Sequence, residues 1–138
     1  MKNCWILVAS KKNVLEGIAG SFAQANHGKS HPLRRMGVGD GIIYYSPKQE
    51  YGGTVPYQRF TAIGYVVGEN LYQVDMGNNV TPNRREVKYL NSHETSITPL
   101  INRLTFIKDK SRWGSVFRFG ILHIPADDFK LIAALMLK

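Results

Sequence analysis

The fold of this chain is decided by a stretch near its middle, residues 59–70, which read RFTAIGYVVGEN. Apolar or small residues occupy every second position from Phe60 to Val66, the pattern of a half-buried β-strand. Gly68-Glu69-Asn70 is typical of a tight turn. We therefore expect the chain to reverse there and to return along residues 71–76 as the second strand of a hairpin.

Segments on both sides of this hairpin complete the predicted fold. Short runs rich in β-forming residues predict further strands, at residues 5–9, 41–46, 85–90 and 118–124. Apolar residues at helical spacing predict helices at residues 12–25 and from Pro125 onward. Short turns of helix are predicted at 113–116 and within 98–104, where Thr98 would be the N-cap. Residues 26–39 and 48–57 are predicted loops, and Gly77-Asn78-Asn79 is a second turn signal. This order predicts an α+β domain whose small curled sheet closes into a barrel-like form, which leaves few exposed edges.

Length and composition set the broad class of the protein. A chain of 138 residues with 43% apolar residues predicts one globular domain over residues 1–138. The single cysteine, Cys4, lies in an apolar run, which excludes a disulfide framework and favours a reducing, cytoplasmic setting. We recognise no targeting segment and no apolar stretch near the roughly 20 residues that a membrane helix needs.

The chain carries an excess of positive charge. It has 18 Lys and Arg against 10 Asp and Glu, a formal net charge of +8. Such an excess indicates a polyanionic partner, with nucleic acid first, although acidic proteins and acidic membrane surfaces also attract it. A role in solubility alone is the alternative reading of the same charge.

Residues of the kind that catalyse reactions or bind metals are scattered. The adjacent Asp127 and Asp128 suit the N-terminus of the last helix, so they are not a catalytic pair. His27 and His31 stand four residues apart, but they fall in a predicted loop without a nearby cysteine or carboxylate. The glycine-rich run at 37–41 lacks the lysine of a P-loop. We therefore predict no catalytic residue, no metal and no cofactor.

Basic and aromatic residues are interleaved in a way that suits nucleic acid. Basic residues concentrate in three stretches, at 27–35, 84–88 and 108–118. Arginine pairs with phosphate through two hydrogen bonds, and aromatic faces stack on bases. The candidates for stacking are Tyr44, Tyr45, Tyr51, Tyr57 and Trp113. Strand alternation places Tyr44 and Tyr45 on opposite faces, so one of them is expected in the core.

Several short motifs occur in a fixed order along nearly the whole chain. They are His27-Gly28-Lys29, Pro32-Leu33-Arg34-Arg35-Met36, Gly39-Asp40, Tyr44-Tyr45-Ser46-Pro47-Lys48, Phe106-Ile107, Lys110, Trp113-Gly114, Phe117-Arg118 and Asp128-Phe129. In this order and spacing the chain resembles the EVE domain family of the PUA-like superfamily, which also contains YTH and ASCH domains. The resemblance implies a PUA-like pseudo-barrel and a pocket for a flipped, often modified, nucleobase. It implies a reader of DNA or RNA, not an enzyme.

The same resemblance assigns residues to two roles. The base pocket would be formed by Ser10, Tyr45, Ser46, Pro47, Trp113 and Gly114. His27, Lys29, Arg34, Arg35 and Arg118 would line or flank that pocket. To these predicted phosphate-binding residues we add four other basic residues of the motifs and basic stretches: Lys48, Arg84, Arg85 and Lys110. Two other functions remain open: an enzyme that acts on a nucleotide or modified nucleoside with His27 or His31 as acid or base, and a module that binds a protein or a small molecule.

Overall fold

A computed structural model describes residues 3–138 of the chain. Its strands are β1 (Cys4–Val8), β2 (Phe22–Ala23), β3 (Gly41–Lys48), β4 (Pro56–Gln73), β5 (Asn83–Tyr89), β6 (Thr95–Ser96) and β7 (Ile121–Ile124). Its α-helices are α1 (Lys11–Gly20), α2 (Ser30–Arg34) and α3 (Ala126–Met136). Thr98–Leu100 is a 3₁₀ turn, Lys110–Phe119 is a 3₁₀ helix with a kink at Arg112, and Asn26–Gly28 is a turn of left-handed backbone.

The strands form one mixed sheet. Their order is β2-β5-β4-β3-β1-β7, and the short β6 pairs with β4. β1 and β3 are parallel, because the chain crosses over through α1, β2 and α2 between them, and the other pairs are antiparallel. This sheet with its flanking helices confirms the α+β pseudo-barrel. The sheet is not closed, however, since β2 and β7 end its path in the part of the chain that the structure describes.

The hairpin predicted at Gly68-Glu69-Asn70 is wrong. β4 continues through these residues, and its register with β5 shifts between Val66 and Leu71, which marks a bulge. A Cβ on Gly68 would lie 2.9 Å from the Cβ of Glu86, so this glycine allows two strands to approach closely. The chain reverses later, near Gly77, where the second turn signal was recognised.

Helices cover both faces of the sheet, and one core cluster lies on each face. On one face, α3 packs Phe129, Ile132 and Met136 against Tyr45 and its neighbours. On the other face, Val14 of α1 and Leu33 of α2 pack with Tyr44. Tyr44 and Tyr45 do lie on opposite faces, but both are buried, because neither face is left to solvent.

Several elements differ from those predicted in their extent or type. The first helix stops at Gly20 instead of residue 25, because Ser21 adopts a left-handed conformation and its N–H caps the carbonyls of Gly17 and Ile18. The predicted loop 26–39 contains α2. Residues 98–104 form only the 3₁₀ turn Thr98–Leu100, whose N-cap is Ile97.

At the C-terminal end, β7 begins at Ile121, because the preceding 3₁₀ helix occupies residues 118 and 119. The last helix begins next to Pro125, as expected. None of the helices described within residues 3–138 has the length and apolar character needed to cross a membrane.

Candidate functional site

A cleft of about 470 Å³ opens where α1, the segment after β2 and the end of β3 meet. This volume falls within the roughly 300–1,000 Å³ that small-molecule sites occupy. The residues that line the cleft include Ser10, Asn13, Glu16, Phe22, Gln24, Asn26, His27, Tyr44, Pro47, Lys48, Glu50, Tyr51, Met76, Arg84, Phe117 and Arg118.

The N-terminal end of α1 is fixed at one side of the cleft. Ser10 is the N-cap of the helix, and its Oγ accepts a hydrogen bond from the N–H of Asn13 at 3.4 Å. The N–H of Ala9 donates to the carbonyl of Tyr45 at 3.2 Å, and that of Lys12 donates to the carbonyl of Gln49 at 3.0 Å. These bonds tie α1 to β3 and its following loop, so the side chain of Asn13 is held beside the cleft.

Tyr44 anchors the segment after β2. Its hydroxyl donates to the carbonyl of Gln24 at 2.8 Å and accepts from the N–H of Gln24 at 3.0 Å. Burial raises the pKa of Tyr44 to about 12, so the hydroxyl remains protonated and keeps its role as a donor at neutral pH.

Arg84 is oriented at the edge of the cleft by two contacts. Its Nε donates to Oε1 of Gln24 at 3.1 Å, and its guanidinium carbon lies 3.8 Å from the centre of the Phe22 ring. The hydrogen bond to the side-chain amide of Gln24 and the cation–π contact with Phe22 hold the Arg84 side chain in one position. Among residues 3–138 no carboxylate forms an ion pair with this side chain, so its positive charge is presented at the cleft.

An unusual turn follows the Gln24 segment. Asn26, His27 and Gly28 all have positive φ angles, of 48°, 60° and 84°. The Nδ2 of Asn26 donates to the carbonyl of Phe119 at 3.4 Å, and a Cβ on Gly120 would lie only 1.8 Å from Oδ1 of Asn26. A side chain at position 120 would displace Asn26 and would strain a backbone whose φ is 78°, so glycine is favoured there, and the contact joins two segments of the cleft wall.

Aromatic rings form parts of the wall and mouth. The ring of Phe117 stacks on Tyr45, with centroids 4.1 Å apart and planes 21° apart, and Phe117 is the ring of this pair that borders the cleft. At the mouth, His27 and Tyr51 make an edge contact with centroids 4.8 Å apart.

The residues predicted for the base pocket divide into two groups. Ser10 and Pro47 border the cleft. Tyr45 and Ser46 do not, because Tyr45 lies in the core behind Phe117 and the Oγ of Ser46 bonds to Oγ1 of Thr61 at 2.8 Å in the interior. Trp113, half-buried against the core of the α3 face, and the exposed Gly114 also lie outside the cleft lining.

The residues predicted to bind phosphate divide in the same way. His27, Lys48, Arg84 and Arg118 border the cleft. Three others are exposed but lie outside its lining: Lys29, Arg34 and Arg35. Of these, Arg35 places its guanidinium carbon 5.1 Å from the centre of the Trp5 ring.

Arg85 and Lys110 hold the fold together. Arg85 is 5% exposed, and its guanidinium donates to the carbonyls of Gly68 at 3.0 Å, Leu33 at 2.8 Å and Met36. Burial lowers its pKa. The Nζ of Lys110 donates to the carbonyls of Ile101 and Leu104 at 3.0 and 2.8 Å. The prediction that Arg85 contacts phosphate is therefore wrong, because its guanidinium is buried and donates to backbone carbonyls. Lys110 is exposed, and its place among the phosphate contacts stays a prediction.

Sequence reasoning missed much of the cleft lining, including Asn13, Glu16, Gln24 and Phe117. A signal existed for α1: with Ser10 taken as the N-cap, Asn13 and Glu16 follow at three-residue steps on one helix face. No local signal existed for Gln24. The sequence predicts helix for this segment, whereas in the structure the segment follows β2, which exists only because it pairs with the distant β5.

The cleft carries charges of both signs. Lys48, Arg84 and Arg118 are its cations, and Glu16 and Glu50 are its carboxylates. Amide and carboxylate groups can bind the polar edge of a flat heterocycle, while the cations suit an attached phosphate. Within residues 3–138, no three His, Cys, Asp or Glu side chains come together as a metal site requires.

Known proteins are similar to this chain along nearly its full length. The family model of the EVE domain matches residues 3–135. A UPF0310 protein from Mycolicibacterium gilvum is 49% identical over 132 residues, which cover 96% of this chain and 94% of that protein. The UPF0310 protein YdcG from Bacillus subtilis is 40% identical over 134 residues, covering 97% and 92%. A crystal structure of a protein from Pseudomonas putida has a TM-score of 0.60 at 13% identity, covering 96% and 98%, which supports the fold alone.

Proposed function

We propose, since the chain belongs to the EVE domain family, that it is a nucleic-acid-binding module that reads one modified base turned into the cleft. The observation that carries this proposal is the composition of the cleft, in which aromatic rings, amide groups and cations from five chain segments border one opening. Each of these groups suits a different part of a nucleotide.

A base that leaves its stack loses contacts on both faces and on its hydrogen-bonding edge, and its pocket must replace them. Phe22, Tyr44 and Phe117 line the cleft, and because each residue is at most 8% exposed, only a small part of each ring faces the opening. The amides of Asn13 and Gln24 can donate and accept at the edge of a base, whereas the carboxylate of Glu16 accepts only. An added methyl group on the base gains about 0.8 kcal/mol when it is buried against such a wall.

The sugar–phosphate backbone would be bound by the cations beside the opening. Lys48, Arg84 and Arg118 border the cleft, and the chain as a whole has a formal net charge of +8. Phosphate contacts position the strand without reading its sequence. The proposal therefore separates two devices, the cations for affinity and the cleft interior for base preference.

We propose a reader and not an enzyme. The enzymatic alternative relies on His27 or His31, and only His27 borders the cleft. The variant His27→Asn tests it, because asparagine tolerates the left-handed backbone at this position. A reader binds its oligonucleotide without altering it, so release of any product that stops in His27→Asn would favour the enzyme.

The test uses fluorescence anisotropy with a panel of labelled oligonucleotides that differ by one modified base, as DNA and as RNA. We expect the wild-type protein to prefer one modified base. Asn13→Ala should abolish this preference because it removes an edge contact in the cleft. Arg118→Ala should weaken binding to modified and unmodified strands alike.

Matched controls lie outside the cleft lining. Asn102→Ala and Arg112→Ala replace exposed residues of the same types, and Arg112 lies at the kink of the segment Lys110–Phe119, which also contains Arg118. Both controls should bind as the wild type does. Absence of binding to the whole panel, or a base preference that survives Asn13→Ala unchanged, would contradict the proposal.

A further inference from the structure

The most exposed large apolar side chains of the described residues belong to segments that line the cleft. Tyr51, Phe119 and Met76 are 73%, 69% and 57% exposed, and no other large apolar side chain within residues 3–138 is as exposed. Tyr51 and Met76 border the cleft, and Phe119 stands between Arg118 and Gly120, which also border it. We call these three residues the apolar rim.

Hydrogen bonds fix the backbone at or beside each residue of the apolar rim. Beside Tyr51, the N–H of Gly53 donates to the carbonyl of Glu50 at 3.0 Å. The N–H of Met76 donates to the carbonyl of Val80 at 2.8 Å. The carbonyl of Phe119 accepts from Asn26 at 3.4 Å. The three side chains thus project into solvent from backbone that hydrogen bonds fix, and a ligand that covered them would remove apolar surface from water.

A cation accompanies each member of the apolar rim. Arg118 precedes Phe119 directly, Lys48 lies three residues before Tyr51, and Nη2 of Arg84 lies 3.7 Å from the sulfur of Met76. Aromatic or apolar surface next to positive charge is the arrangement that binds single-stranded nucleic acid, in which bases stack on the protein while cations follow the phosphates.

From this arrangement we infer that the protein binds a single-stranded segment, whose bases on either side of the one in the cleft stack on the apolar rim. The inference rests on the proposed function and adds the form of the nucleic acid to it. In a duplex the faces of the flanking bases are covered by their neighbours. The side chains of the apolar rim would then have to insert between neighbouring base pairs at more than one position of the duplex. Otherwise they would face the phosphates and stack on no base.

The experiment compares one sequence with the same modified base as a single strand and as a blunt duplex. Oligonucleotides of about nine nucleotides match the length of strand that a protein domain of this kind covers. We expect the single strand to bind more tightly. Tyr51→Ala and Phe119→Ala should each weaken single-strand binding by about 5- to 150-fold, which corresponds to the loss of one stacked base.

Two control variants replace apolar side chains of a second groove that shares no residue with the cleft. They are Tyr65→Ala and Leu137→Ala, and both should keep the affinity of the wild type. Circular dichroism confirms that every variant is folded. Equal affinity for duplex and single strand, or rim variants that match the controls, would overturn the inference.

The same measurements distinguish this inference from the proposed function. Equal binding of duplex and single strand, with a base preference that Asn13→Ala abolishes, overturns the single-strand inference and supports the reading cleft. Single-strand binding that depends on the apolar rim, with a base preference that Asn13→Ala leaves unchanged, supports the rim and contradicts the reading cleft. A protein that binds none of the strands contradicts both.

Discussion

Arg84 and Arg85 are neighbours on β5, and their side chains lie on opposite faces of the sheet. Arg84 borders the cleft, with its guanidinium over Phe22. Arg85 is buried and donates to three backbone carbonyls, two of which belong to Leu33 and Met36 around the end of α2. The same residue type therefore serves a surface site at one position and the fold at the next.

Replacing each arginine by alanine should separate these roles. We expect Arg85→Ala to lower the free energy of unfolding by about 2–4 kcal/mol, because buried carbonyls lose a charged donor. Arg84→Ala should change that free energy by less than about 1 kcal/mol and should weaken oligonucleotide binding. Urea unfolding and anisotropy measure the two effects. Similar losses of stability in both variants would contradict the division.

The pair also shows how far a sequence pattern reaches at this scale. Alternation along a strand predicts that Arg84 and Arg85 face opposite ways. Alternation does not say which of the two is buried. That depends on distant carbonyls, such as that of Leu33, which lies 52 residues before Arg85 in the sequence. Both arginines were therefore predicted as phosphate contacts, although only one of them is available at the surface.

At the scale of elements, β4 depends on glycines that let β5 approach. A Cβ on Gly64 would lie 2.3 Å from the carbonyl oxygen of Lys88, closer than any relaxed contact. At Gly114, by contrast, a Cβ would meet no atom within 4 Å. The two positions differ in what surrounds them, not in the type of residue.

The substitution to alanine should thus have opposite outcomes at these two glycines. Gly64→Ala is expected to lower the free energy of unfolding by about 1–3 kcal/mol, since the strands must move apart. Gly114→Ala should change it by less than about 0.5 kcal/mol and should leave oligonucleotide binding unaltered. Chemical unfolding of both variants checks this. If Gly114→Ala abolished binding, the residue would belong to the site as the family resemblance implies.

Elements with a strong period were predictable, whereas those defined by distant pairing were not. β1, β3 and β5 begin and end within a few residues of the predicted positions, and α3 begins next to Pro125 as predicted, because alternation or helical spacing marks them. β2 has only two residues, and its pairing of Phe22 with Glu86 defines it. The family motifs placed Ser10, Pro47 and Arg118 at the cleft, but they could not show that Phe117 lies in front of Tyr45.

For the molecule as a whole, the charge is spread more widely than the cleft. The cleft itself combines cations with the carboxylates of Glu16 and Glu50. A further group of exposed cations follows His27 along the chain, on and beside α2: Lys29, Arg34 and Arg35. Long-range attraction of a polyanion must therefore come from the surface around the cleft as well as from its border.

The salt dependence of binding tests whether the phosphate path extends from the cleft to α2. For a single strand, each phosphate contact contributes about 0.7 to the slope of log affinity against log salt concentration. Arg118→Ala and Arg34→Ala should each lower this slope by about that amount, whereas Tyr51→Ala should weaken binding at every salt concentration with the slope unchanged, because stacking releases no counterions. Anisotropy titrations at several salt concentrations measure it, with Arg112→Ala as the control of equal charge. A slope that falls for Arg112→Ala but not for Arg34→Ala would place the backbone along the 3₁₀ helix Lys110–Phe119 instead, and the cations beside α2 would then serve solubility alone.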